Sequence, residues 1–204
     1  MTRRIGIVDY GVGNLHSVVN AFWKVGGEPQ IVADPNDVWL HDRLLLPGVG
    51  AFPAAMSRLR ESGLDAVLTE HVAQGNPLMG ICLGMQLMCR DSLEDGLHAG
   101  LGWVDAHVVP LELREGIKVP HMGWNEITKK KNSPLLANFQ DGDDVYFVHS
   151  YHARCERVED VLLECVHGES FVAGFAHDNL YGLQFHPEKS QSIGLSMLAN
   201  FLTC

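Results

Sequence analysis

The sequence predicts an α/β fold, a doubly wound and mostly parallel sheet with antiparallel strands added to it. Two observations carry this. Up to Cys82, short continuous apolar runs alternate with amphipathic stretches of helical period, the pattern of βα units whose strands are buried on both faces. From Gly100 to Gly182 the helical period fades and strand-like runs succeed one another, which suits hairpins and antiparallel additions better than further crossovers. A length of 204 residues, with 46% hydrophobic and 20% charged side chains, argues against disorder and suits a single domain over 1–204.

Ile5-Gly6-Ile7-Val8 is the first strand. Asn14 then caps a helix whose Leu15, Val18, Val19, Phe22 and Val25 share one face, and Gly26-Gly27 ends it. Strands follow over Pro29 to Ala33 and Arg43 to Leu46, helices over Phe52 to Arg60 and Leu64 to Ala73, then a fourth strand over Leu78 to Cys82 and a helical run from Met85 to Arg90. Val104 to Leu111, Val145 to Val148, Val161 to Val166 and Phe171 to Ala176 read as the later strands, and Ser192 to Leu202 as a closing amphipathic helix. In such a fold ligands bind beyond the carboxyl ends of the parallel strands.

Charge and cysteine usage narrow the function. The net charge of −10, with no basic cluster beyond Lys129 to Lys131, argues against nucleic acid as a partner. Ile5 to Val8 is too short for a signal peptide's apolar segment, and Leu44 to Met56 holds two prolines and two glycines, so neither secretion nor a membrane span is expected. Five cysteines without a CxxC pair fit reduced thiols in a cytoplasm better than disulfides or a zinc site. No metal is expected.

The chemistry concentrates at Gly80-Ile81-Cys82-Leu83-Gly84, a G-x-C-x-G between a strand and a helical run. Such a turn lifts a cysteine clear of the sheet, favours thiolate through the free N–H groups at the helix start, and lets the Leu83 N–H face a developing oxyanion. On their own these five residues fit equally well a small cysteine buried in a glycine-rich turn. A base is available in Gln184-Phe185-His186-Pro187-Glu188, where positions i and i+2 of an extended segment project to one side, so that Glu188 can orient the His186 imidazole. Alone, His-Pro-Glu reads as a surface turn; with the elbow it reads as a Cys-His-Glu triad. Pro47-Gly48-Val49-Gly50 can bring a second oxyanion donor over the sulfur, and lacks the spacing of a phosphate loop. Composition assigns no role to the polar and aromatic clusters at 121–125 and 147–151, and packing accounts for Trp124 more simply than binding does.

Together these residues resemble the class I, triad-type glutamine amidotransferases, and among them the glutaminase subunits of imidazole glycerol phosphate synthases. The resemblance spans the chain and rests on DYGVGNL at 9–15, PGVGAF at 47–52, GICLGMQ at 80–86, HMGWN at 121–125, FVHSY at 147–151 and QFHPEKS at 184–190. It implies a flavodoxin-like sheet with Cys82 as nucleophile, His186 as acid and base, and Glu188 as orienting carboxylate. It implies an oxyanion hole from Leu83 and the Val49–Gly50 segment, and glutamine held by Gly50, Gln86, Glu94 and the main chain near Ser150 and Tyr151. It implies no cofactor, and a heterodimer with a (β/α)8 cyclase subunit that receives ammonia, with Trp124 and Lys189 near the interface. A different amidotransferase subunit, or a redox or chaperone-like cysteine protein on the same sheet, would change the partner or the chemistry; thiol sensing, however, has no need of a base oriented by a carboxylate.

Overall fold

A computed structural model describes residues 4–112 and 114–204. Strand β1 (Arg4–Val8) leads through helix α1 (Leu15–Lys24) to β2 (Glu28–Val32), and β3 (Leu44–Leu46) through α2 (Phe52–Glu61) and α3 (Leu64–Ala73) to β4 (Leu78–Ile81). The α1 boundaries have the expected causes: the Asn14 side chain accepts from the Ser17 N–H, and Gly26, at φ +78, turns the chain out of the helix.

After β4 the elbow helix α4 (Leu83–Leu87) is shorter than the sequence suggests, and the expected helical run to Arg90 is replaced by strand β5 (Cys89–Ser92). The cause is competition for carbonyls. Leu101 N–H donates to Leu87 O, Trp103 and Val104 N–H to Met88 O, and Gly102 N–H to Cys89 O, so the returning chain takes acceptors that further helix would need. Strands β6 (His98–Ala99), β7 (Val104–Pro110), β8 (His121–Lys129), β9 (Asp143–His149), β10 (Tyr151–Cys155), β11 (Val161–His167), β12 (Glu169–His177) and β13 (Leu180–Leu183) follow, and α5 (Gln191–Phe201) closes the chain.

The nine-stranded sheet runs β2-β1-β3-β4-β13-β12-β11-β8-β9. Its first five strands are parallel, and β12, β11, β8 and β9 join antiparallel. Not every late strand extends it, however. The Val104 run pairs instead with β5 and β10 in a separate four-stranded sheet, β10-β7-β5-β6. Strand periodicity sets which face is buried, not which sheet a strand enters.

Both faces of the parallel half are packed, as its continuous apolar runs require. Ile5, Ile7 and Leu45 face Phe22 of α1 and Met197 and Phe201 of α5, whereas Val8, Leu44 and Leu46 face Met56, Leu59 and Leu68 of α2 and α3. Among the described residues no helix is long and apolar enough to cross a membrane.

Candidate active site

Three loops meet at the carboxyl ends of adjacent parallel strands: 47–50 after β3, Cys82 after β4, and 184–188 after β13. Cys82 sits at φ 53, ψ −113, strained for a side chain and typical of a nucleophile elbow. The flanking glycines are steric necessities. A Cβ on Gly84 would lie 1.8 Å from Leu46 O of β3, and one on Gly80 would lie 2.6 Å from Met85 N of the elbow helix, so no side chain fits at either position. The turn is supported from the other side by Tyr10, whose buried hydroxyl donates to Pro47 O at 2.9 Å and braces the loop carrying Val49 and Gly50.

His186 Nδ1 and Glu188 Oε1 are 2.8 Å apart, with both side chains about 4% exposed or less. Burial is the largest single influence on this imidazole and pulls its pKa down. The interactions with Cys82 and Glu188 together outweigh it and raise the ring to about 9. Among the described residues His186 Nε2 has no hydrogen-bond partner, which leaves it free for proton transfer. The Cys82 sulfur lies 3.8 Å from the Gln184 Nε2 donor and 3.9 Å from the Val148 carbonyl. Nucleophile and base therefore face one cavity, with the acid behind the base.

That cavity, open to solvent on one side, has about 280 Å³, near the lower end of the ~300–1,000 Å³ usual for small-molecule sites and enough for an amino acid. Val49, Gly50, Cys82, Leu83, Gln86, Glu94, Ser150, Tyr151 and His186 all line it, so the nucleophile, base, oxyanion and glutamine-binding candidates converge there, while Glu188 stands behind His186 outside the lining. Two of them carry structural duties as well. Glu94 accepts the Phe52 N–H at 2.8 Å and so caps α2, while the Gln86 amide nitrogen donates to Tyr151 O and Gln184 Oε1. With both amide hydrogens engaged, Gln86 has only its oxygen to offer a ligand.

Trp124 and Lys189 lie outside this cavity, on an adjoining exposed face. The Trp124 ring, 47% exposed, meets Tyr146 edge-on at 5.9 Å, and the Lys189 ammonium stands 5.7 Å over the same Tyr146 ring. Gln184 and His149 are site residues that side-chain types alone did not single out. For Gln184 the signal was present: it precedes His186 by two positions in the extended segment, and so projects to the same side. All five cysteines are free.

Comparison with known proteins agrees with this arrangement. The chain matches the family described as "Glutamine amidotransferase class-I" over residues 6–204. A Wolinella succinogenes protein named imidazole glycerol phosphate synthase subunit HisH is 49% identical over 97% of this chain and 98% of its own length. An Aquifex aeolicus protein of the same name is 46% identical over 97% and 95%. The structure of PurLQS from Thermotoga maritima superimposes with a TM-score of 0.76 at 19% identity, covering 100% of this chain and 99% of that one, which is likeness of fold. A putative GMP synthase protein from Thermoplasma acidophilum gives 0.74 at 20% identity, covering 100% and 94%.

Proposed function

This chain belongs to the class I glutamine amidotransferase family, and we propose that it is the glutaminase subunit of an imidazole glycerol phosphate synthase. It hydrolyses glutamine to glutamate and passes the ammonia to a (β/α)8 cyclase subunit, which makes imidazole glycerol phosphate and the aminoimidazole carboxamide ribotide of histidine biosynthesis. Residues 1–204 act as one amidotransferase domain, in the cytoplasm. The observation that carries the reading is the Cys82 elbow facing a cavity of about 280 Å³ beside a buried His186–Glu188 pair at 2.8 Å.

In the reaction Cys82 thiolate attacks the glutamine side-chain carbonyl carbon, and the carbonyl oxygen takes up the negative charge. The Leu83 N–H, free because first-turn donors have no intrahelical acceptor, faces that charge, joined by an N–H of the Val49–Gly50 segment. His186, with a pKa raised to about 9, starts as imidazolium and protonates the leaving nitrogen, so ammonia departs and a thioester remains. The neutral imidazole then takes a proton from water, the hydroxide attacks the thioester, and glutamate and the thiolate are released. Glu188 fixes the tautomer and stabilises the imidazolium throughout. Gln86 oxygen, Glu94 and the main chain near Ser150 and Tyr151 hold the amino-acid end of the substrate.

Glutamate release by this chain alone and with a cyclase subunit, with and without the cyclase's ligand, tests the proposal. The liganded partner should raise kcat far more than it lowers KM for glutamine, if it acts by turning the Val49–Gly50 N–H onto the oxyanion, because such a donor acts in the transition state. Full activity of the lone chain, or a partner effect confined to KM, would count against it. Failure to release glutamate in any complex would remove the glutaminase reading itself.

A further inference from the structure

Cys82 stands at the buried end of a continuous line of hydrogen bonds that reaches the surface at Asn125. Gln184, fully buried, donates from Nε2 to the Cys82 sulfur at 3.8 Å and accepts from Gln86 Nε2 at 3.1 Å. The same Gln86 nitrogen donates to Tyr151 O at 2.9 Å, and that carbonyl also pairs with His149 Nδ1 at 2.9 Å. His149 Nε2 lies 3.1 Å from His121 Nδ1, and His121 Nε2 lies 3.2 Å from Asn125 Nδ2, which also donates to Val166 O.

Only one protonation pattern satisfies every link. A carbonyl cannot donate, so His149 must carry its proton on Nδ1; its Nε2 is then the acceptor, which puts the His121 proton on Nδ1 and leaves His121 Nε2 to accept from Asn125. Both rings must therefore be neutral. Burial, the largest influence on each, pulls His149 down to about 3 and His121 to about 4, so the pattern persists across neutral pH. The ladder is rigid as well as polarised. His121 stacks on Phe147 at 4.6 Å and on His167 at 4.0 Å between ring centres.

We propose that Gln184 is a positioning residue for the Cys82 nucleophile, its amide held by the Gln86, Tyr151 carbonyl, His149 and His121 chain so that an N–H meets the thiolate. Its alternative neighbour makes the donor matter. The Val148 carbonyl can accept a proton from the thiol but only repels a thiolate, so the Gln184 N–H on the same sulfur adds to the helix-start donors and His186 in favouring the thiolate. The far end of the chain, Asn125, follows Trp124 on β8, so movement of that strand reaches the sulfur through contiguous contacts. This inference rests on the glutaminase reading for its kinetic consequence and on geometry alone for its effect on the thiol.

The test compares wild type, Gln184→Met and His121→Phe, each in complex with the cyclase subunit, for kcat and KM of glutamine hydrolysis. In parallel the free chains are treated with iodoacetamide at pH 7, and the Cys82 peptide is followed by mass spectrometry. Gln184→Met fills the same volume without the donor. It should alkylate roughly 10-fold more slowly and lose roughly 10- to 100-fold in kcat, with KM within about twofold. His121→Phe keeps the stacking and breaks the ladder, and should lose several-fold in both measurements; the double variant should be no worse than Gln184→Met alone. A folded Gln184→Met with wild-type alkylation and kcat, or with a loss confined to KM, overturns the proposal. Wild-type behaviour of His121→Phe overturns the part beyond Gln86. If Gln184→Met does not fold, His149→Asn cuts the next links and is judged by the same alkylation criterion. A wild-type complex that releases no glutamate defeats the glutaminase reading, while alkylation still decides the inference.

Discussion

Two groups of buried histidines reach one cavity, through His149 and His186, and are driven in opposite directions. At the catalytic corner His186 is raised to about 9, although burial alone would lower it, because a carboxylate and a thiol flank its two ring nitrogens. In the ladder His121 and His149 are lowered to about 4 and about 3 by burial, with the neighbouring histidines adding to it; the Tyr151 carbonyl pulls His149 the other way without offsetting burial, and among the described residues no carboxylate stands beside either ring to reverse it. Burial is common to both; the partner's charge decides the sign. The contrast separates a group built to exchange protons from groups built to keep one tautomer.

The sharpest way to break this comparison is at the sulfur. Cys82→Ser should lose glutamine hydrolysis by roughly 10⁴-fold or more, because the site is arranged to activate a thiol and not an alcohol. Synthesis from added ammonia should continue in the complex; retained glutamine-dependent synthesis would sink the assignment. Selectivity is a second check. Burial raises Cys89 well above the usual thiol range, Cys155 and Cys165 to about 12, and Cys204 upward. A glutamine-mimicking electrophile should accordingly label Cys82 first by peptide mass spectrometry.

Next come the two members of the proton-transfer pair. His186→Ala should approach the Cys82→Ser loss, whereas Glu188→Gln should cost roughly one to two orders of magnitude less, since the carboxylate orients while the ring carries protons. The double variant should lose little more than His186→Ala alone. Rates that multiply would show two independent groups and not one unit.

Much of the catalytic corner was legible because its signals are local. A glycine two residues either side of Cys82 answers a clash with Leu46 O and Met85 N that any elbow of this kind meets, and the i, i+2 spacing of His186 and Glu188 fixes their common side. The ladder was illegible for the converse reason. His121 and His149 are 28 residues apart and meet only through the register that pairs β8 with β9, which no local pattern encodes. Strand β5 was misread for a related cause: its helix-like continuation from Met85 is stopped by donors at 101–104, which only tertiary contact supplies. The parallel half of the sheet was readable from runs such as Leu44 to Leu46, buried on both faces, but the second sheet was not, since alternation carries no information about pairing partner.

A smaller effect belongs to the face between the two histidine regions and solvent. Trp124, held edge-on by Tyr146, presents a pre-organised aromatic anchor, and Trp124→Ala should weaken association with the proposed cyclase partner by about 2 kcal/mol or more in a titration. Lys189, exposed above the Tyr146 ring, is a rim charge. Lys189→Ala should chiefly flatten the salt dependence of association, and an equal loss of affinity in both variants would show that the two residues share one role.

The smallest effect sharpens the comparison most directly, because the two histidine groups should tilt stability in opposite senses with pH. For His121 and His149 the folded pKa lies below the usual value near 6.5. The unfolded chain therefore binds more protons between about 6.5 and 3, and their contribution is complete above 6.5 and lost as pH falls through that window. For His186 the folded pKa lies above 6.5, so its contribution is complete below 6.5 and lost as pH rises toward about 9. Buried His41, His71 and His152 are also lowered and add to the acid side, so wild type alone cannot assign the slope. Differences against variants can. Thermal melts at pH 5, 7 and 9 should show His121→Phe less sensitive to acid than wild type by about 2–4 °C, with no change in its alkaline slope. His186→Ala should show the reverse, a flatter alkaline side and an unchanged acid side. If both variants flattened the same side, the opposite-sign account of the two regions would fail.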